Sequence, residues 1–175
     1  MGIVSLLVAS LNGFHPPIQV EFQRHEVDYY DGRIMVDYRV KIDISAIHLQ
    51  EILTDYEKFS ELSPLIVNST VNTKDDIQRV SQTLRPCVLG VCYSLKKEET
   101  LSFDSKGRTV ATIIPQAGHF ESGVEQWFVE STNQGTILHY HADLTPAFPI
   151  PPLVGPFLLK KIIHKELTDI VFKLL

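Results

Sequence analysis

Apolar and polar positions alternate without interruption from Ile34 to Ile44. Ile34, Val36, Tyr38, Val40, Ile42 and Ile44 form one face, and of the residues between them only Met35 is uncharged. A period of two with one charged face predicts a half-buried strand. Asp31-Gly32 predicts a turn ahead of it, which pairs it with an earlier strand within Val20 to Tyr30. Ser45 suits a helix N-cap, and Ile47, Leu49, Ile52, Leu53 and Tyr56 follow at mainly helical spacings across Ala46 to Tyr56. A second short helical turn runs through Phe59 and Leu62 and stops at Pro64.

Beyond Pro64 the pattern is strand-like to about Phe148. Strands are expected near Leu65 to Thr73, Ile77 to Cys87, Cys92 to Phe103, Arg108 to Ile114, Gly123 to Glu130 and Thr136 to Thr145. The breaks carry turn chemistry, in Lys74-Asp75-Asp76, Asp104-Ser105-Lys106-Gly107 and Thr132-Asn133-Gln134-Gly135. Connections this short imply antiparallel hairpins. Five prolines from Pro146 to Pro156 then lead into one long amphipathic helix ending at Leu175. Leu159, Ile163, Leu167, Ile170 and Leu174 share a stripe, with Lys160, Lys161, His164, Lys165 and Thr168 on the other side. The expected class is α+β: a curved antiparallel sheet wrapped around the C-terminal helix, which satisfies both apolar faces.

The chain has 175 residues, enough for one domain with its own core. Its net charge is −5 and no long basic run occurs, which argues against a broad grip on nucleic acid. Ile3 to Leu11 is a nine-residue apolar run, too short for a bilayer-spanning helix of about 20 residues. It reads either as the h-region of a secretory signal lacking its basic n-region, or as a buried N-terminal strand or helix. Residues 1–14 are accordingly set apart, 15–32 form a lead-in broken by His15-Pro16-Pro17, and 33–175 form the domain. Cys87 and Cys92 flank Val88-Leu89-Gly90-Val91 and face each other if that segment is a hairpin loop. They would bridge in an oxidising compartment and stay reduced in the cytosol. The apolar run and this pair both point toward export rather than a cytoplasmic location.

Ile52-Leu53-Thr54-Asp55-Tyr56-Glu57-Lys58-Phe59 with Glu61-Leu62-Ser63-Pro64, and Ile150-Pro151-Pro152-Leu153-Val154-Gly155-Pro156-Phe157, resemble the START-like (SRPBCC) superfamily. The resemblance is to its polyketide cyclase/dehydrase and coenzyme Q-binding subgroup. It covers about Arg33 to Leu175 and implies the helix-grip fold, with an apolar cavity between sheet and long helix. Such proteins bind lipids, isoprenoids, polyketides or other hydrophobic molecules, and some catalyse cyclisation or dehydration. One bacterial branch is linked to ribosome subunits and another to coenzyme Q.

Strand parity selects cavity candidates. Tyr93, Trp127 and Tyr140 fall mid-strand on the expected inner face, where an amphipathic ring can pack a ligand and offer one hydrogen bond, or simply fill the core. Lys97 and Glu99 share the apolar parity, where they would pair with each other or with a ligand. The simpler expectation is a bulge or twist that carries them to solvent. Phe157, Leu158 and Ile162 could close a cavity mouth or pack helix on sheet. His139 and His141 alternate with apolar residues and point outward, with no obvious further ligand to make a metal site. His119, in a loop beside Gly118 and Phe120, is read as an ordinary loop residue, with a place near a cavity rim as the alternative.

No G-x-S-x-G, H-E-x-x-H, P-loop or G-x-G-x-x-G motif occurs. The leading expectation is a non-catalytic carrier of a hydrophobic small molecule, without metal or cofactor. The alternatives are a cyclase, aromatase or dehydratase using Lys97, Glu99 or Tyr140, and a protein-interaction module.

Overall fold

The computed structural model describes residues 6–7, 19–88, 90–105 and 107–175. The apolar run at 1–14, read above as a signal or a buried segment, lies outside them except for Leu6 and Leu7. These two form a short strand, β1, paired with the next strand at Val20 and Gln19. The remaining elements are β2 (Gln19–Tyr30), β3 (Arg33–Ile42), α1 (Ala46–Thr54), a 3-10 turn at Tyr56–Lys58, and α2 (Phe59–Leu62). Then follow β4 (Ile66–Lys74), β5 (Ile77–Leu84), β6 (Cys87–Val88), β7 (Val91–Cys92), β8 (Leu95–Phe103), β9 (Thr109–Ile113), β10 (Phe120–Thr132), β11 (Gly135–Pro146) and α3 (Gly155–Lys173).

Nine strands form one antiparallel sheet in the order β1-β2-β3-β11-β10-β9-β8-β5-β4, and β6 and β7 make a separate small hairpin. β3 keeps the alternation of its sequence: Ile34, Val36, Tyr38, Val40 and Ile42 are buried. It joins β2 through Asp31 and Gly32, both at positive φ, as a two-residue turn between twisted strands requires. Ser45 caps α1, its side chain accepting from the His48 amide at 3.2 Å. Leu167, Val171 and Leu174 of α3 enter one core with the buried residues of β3 and β11. The observed architecture is the helix-grip fold. Among the described residues no helix is long and apolar enough to cross a membrane.

Two expectations are corrected here. The strand expected from Cys92 begins only at Leu95, because Cys92 ends the small hairpin in which it pairs with Cys87. The polar side of α3 is also not wholly solvated. His164 lies against His25 of β2, ring centroids 4.0 Å apart, because β2 extends the sheet past β3 and covers that flank of the helix.

Cys87 and Cys92 are disulfide-bonded. A loop this short restricts the unfolded chain less than the fifteen-residue loop, which gives about 3 kcal/mol. Reduction is therefore expected to cost less than about 3 kcal/mol, read from urea unfolding with and without reductant, and to leave the nine-stranded sheet folded.

Candidate functional site

Between the concave sheet face, the 56–66 segment and α3 lies a cavity of about 190 Å³. Its walls are mostly apolar, including Ile34, Leu53, Phe59, Leu84, Phe120 and Ile163. An apolar cavity of about 150 Å³ already admits a guest of benzene size. The volume here therefore suits a ring or a short alkyl segment.

A band of polar side chains crosses the inner face of the sheet. Ser69 on β4, Gln82 on β5, Lys97 and Glu99 on β8, Glu125 on β10 and Tyr140 on β11 are all buried. Register aligns them: Gln82 pairs across from Lys97, and Tyr140 stands opposite Trp127, two residues from Glu125 on the same strand face. β8 keeps its parity through this stretch, so no bulge turns Lys97 and Glu99 outward, correcting the simpler expectation. Lys97 Nζ lies 2.5 Å from Glu125 Oε2 and 3.2 Å from Glu99 Oε2. Tyr140 Oη donates to Glu125 Oε1 at 2.9 Å, and Gln82 Nε2 donates to Ser69 Oγ at 3.2 Å.

This geometry sets the protonation of the band. Burial opposes charge on all three ionisable partners. Glu125 is nevertheless held below the usual carboxylate range, because burial is outweighed by Lys97 and by the hydrogen bond from Tyr140. Lys97 is pushed up, its burial outweighed by the two carboxyls. Glu99 is raised to about 8, by burial first and then by the Glu125 carboxylate. At pH 7 the cluster is therefore an ammonium, a carboxylate and a neutral carboxylic acid. Burial also raises the phenols of Tyr140 and Tyr56, with Glu125 and Glu99 adding to it. Opposite, on α3, Glu166 accepts from Ser63 Oγ and is raised to about 7, by burial first and then by Asp169.

Of the residues singled out by parity, Lys97, Trp127, Tyr140 and Ile162 line the cavity. Glu99 lies behind Lys97. Trp127 stacks on Tyr140 with centroids 4.1 Å apart. Leu158 is half-buried beside the cavity rather than in its wall. Two candidates are corrected. Tyr93 is 56% exposed, since it precedes β8 and its amide donates to Pro86 O at 2.9 Å. Phe157, on the outward side of the first turn of α3, is 70% exposed. His119 is an exposed loop residue whose Nδ1 accepts from the Lys96 amide at 2.8 Å. His141 is exposed and His139 reaches Glu130 at 3.3 Å. Among the described residues no cluster of three His, Cys, Asp or Glu could hold a metal.

Glu125, Gln82 and Tyr56 were missed by sequence reasoning. Glu125 had a signal, since it shares the parity of Trp127. Gln82 Oε1 and Tyr56 Oη are buried without a hydrogen-bond partner, and both residues line the cavity.

The profile of the family described as "Polyketide cyclase / dehydrase and lipid transport" matches residues 33–173. The chain belongs to this family. No curated protein matches it. Among solved structures, it is similar to a START superfamily protein from Mycobacterium smegmatis at 19% identity and TM-score 0.61, covering 80% of this chain and 92% of that one. The Zhui aromatase/cyclase from Streptomyces sp. R1128 is 13% identical with TM-score 0.63, covering 81% and 93%. A STAR-related lipid transfer protein fragment from Xanthomonas axonopodis is 15% identical with TM-score 0.63, covering 97% and 98%. At these identities the likeness is one of fold. Family and fold together support hydrophobic ligand binding at the level of the family.

Proposed function

We propose that this family member binds and carries a small apolar molecule bearing one neutral oxygen, a hydroxyl or a carbonyl, in the cavity above Lys97. The observation behind this reading is an apolar cavity lined by two residues, Gln82 and Tyr56, whose Oε1 and Oη are buried without a hydrogen-bond partner. A buried polar atom without a partner costs about 1–3 kcal/mol, which a ligand oxygen would recover. An anionic head is disfavoured, because Lys97 is already held by two carboxyl groups and Glu125 is ionised. The disulfide fits an oxidising compartment and hence an exported carrier.

The chain's single tryptophan, Trp127, lies in the cavity wall and reports occupancy. Titration with 1-decanol should change its fluorescence saturably. Decane and decanoate should each bind at least tenfold more weakly, and Gln82→Leu should lower the affinity for decanol but not for decane. Equal affinity for decanol and decane would remove the polar contact from the reading; no saturable change with any of them would remove the cavity.

A second reading, a cyclase or dehydratase, is favoured by one observation. Lys97, Glu125 and Tyr140 form a buried hydrogen-bonded network in the cavity wall, with Glu99, raised to about 8 by burial, behind Lys97 as a proton reserve. A neutral carboxylic acid in a dry site is the requirement for general acid catalysis. Turnover of a polyketone that disappears in Glu99→Gln, with decanol binding retained, would select this reading over simple carriage.

A further inference from the structure

We propose that the flank where α3 crosses β2 and β3 is a transition-metal site, in which His25 and His164 ligate Cu(II). A β-bulge builds it. Phe22 pairs with Val40 and His25 with Tyr38, so three steps along β2 oppose two along β3. Unbroken parity from Phe22 would turn Arg24 inward and His25 outward. The bulge instead leaves Arg24 outside, 2.6 Å from Asp37, and brings His25 beneath α3 against His164. Bulges recur beside functional sites, where they re-aim a side chain.

The groups brought together there have no partner in the protein. The rings of His25 and His164 have centroids 4.0 Å apart and planes at 85°. Tyr38 stands opposite His25 across the ladder, with ring centroids 4.8 Å apart, and is 1% exposed. His25 Nε2, His164 Nδ1 and Tyr38 Oη are all buried without a hydrogen bond. One such atom is already costly, and here three share one ring cluster. The neighbouring polar side chains are engaged elsewhere. Thr168 Oγ1 donates to His164 O at 2.8 Å, and Lys160 Nζ donates to Asp28 at 2.7 Å.

One ion carrying a bound water would answer all three atoms. Imidazole ligates copper, nickel or zinc when neutral. Both rings are held toward that form, by burial first and then by His164 beside His25 and Lys160 beside His164. The phenol is held protonated by burial, so it donates to the bound water instead of ligating. The ring separation selects the metal. An ion about 2 Å from one nitrogen of each ring sees the two ligands nearer a right angle than the tetrahedral angle. That is the cis arrangement of tetragonal Cu(II), and copper also stands highest in affinity among the divalent metals. Two protein ligands leave the remaining positions to water. None of His25, Tyr38 and His164 lines the cavity, so the site stands apart from the carrier reading.

Titration of the full chain with Cu(II), with glycine as a competing chelator, tests it. Both cysteines of the chain are in the disulfide, so the ion meets no thiol. The wild type should bind one equivalent, with a tetragonal EPR spectrum showing hyperfine coupling to two imidazole nitrogens. His25→Gln and His164→Gln should each weaken binding at least tenfold and lose that two-nitrogen pattern. His139→Gln/His141→Gln, which removes the histidine pair on the outer sheet face, should change neither. Non-saturable binding, an unchanged affinity in both single variants, or loss of the site in His139→Gln/His141→Gln would overturn the proposal. Far-UV circular dichroism checks that each variant folds. Should His25→Gln not fold, His164→Gln alone decides, and a wild-type spectrum with fewer than two imidazole nitrogens overturns the site without any variant.

Discussion

Lys97→Met is expected to destabilise the protein by about 3–5 kcal/mol at pH 7, the cost of removing one partner of a buried ion pair. Methionine replaces the stem of the side chain well, so the loss is electrostatic rather than a matter of volume. The Glu125 carboxylate keeps only the hydrogen bonds of Tyr140 Oη and the Glu99 carboxyl, with no cation beside it in a buried site. Its escape is to take up a proton. In the variant its pKa is raised above the unfolded value, so the stability it contributes is present at low pH and lost as pH rises. The deficit should therefore shrink toward pH 5 and grow toward pH 9. Lys97→Met/Glu125→Gln removes the stranded charge and should recover most of the loss. The adjacent Lys96→Met makes the contrast. Lys96 lies on the outer face, paired with Glu98 at 2.7 Å with its own side chain half in water, and should cost about 1 kcal/mol or less. Urea unfolding with unchanged slope measures all three. A loss below 1 kcal/mol for Lys97→Met at pH 7 would mean that the pair is not buried in solution.

The contrast between Lys96 and Lys97 also shows what a sequence can and cannot reveal. Alternation in β3, turn chemistry between the later strands and the stripe on α3 were sufficient for the fold, because each reports which face is buried. Parity likewise pointed Lys97 and Glu99 inward. The expectation of a bulge came from the cost of burying charge, and that cost cannot be judged without the partner. The partner is Glu125, far along the chain and brought near only when β9 and β10 close the ladder. Periodicity names a face but not what stands opposite it. Tyr93 fails for another reason: parity was counted through the end of the disulfide hairpin, where no strand runs. The His25–His164 contact was hidden by β2, whose alternation is broken by an irregularity between Phe22 and Arg24.

Glu99→Gln is expected to be nearly neutral at pH 5 and to stabilise the protein by about 2–4 kcal/mol at pH 9, an order of magnitude set by linkage. The sign follows from the direction of the shift. The folded protein holds the Glu99 proton up to about pH 8, whereas the unfolded chain releases it near 4.5. Its contribution is thus full below 4.5 and is lost as pH rises to 8. Glutamine is the shape of the neutral acid and cannot ionise, so this part of the alkaline loss disappears. Glu166, raised to about 7, has the same sign and leaves a smaller slope in the variant. His25 opposes them. Burial and then His164 lower it from 6.5 to about 4, so its contribution is full above 6.5 and is lost as pH falls to 4. Wild-type stability should therefore peak between these limbs, with Glu99→Gln moving the peak upward. Ligand affinity should follow the same proton. Above pH 8 the cluster of Lys97, Glu99 and Glu125 becomes net negative, and the ligand oxygen then binds in the field of an added carboxylate charge behind Lys97. Decanol affinity in the wild type should change across pH 7–9 and stay level in Glu99→Gln. Denaturation and Trp127 titrations at pH 5, 7 and 9 decide both points, and parallel behaviour of the two proteins would mean that Glu99 is ionised throughout.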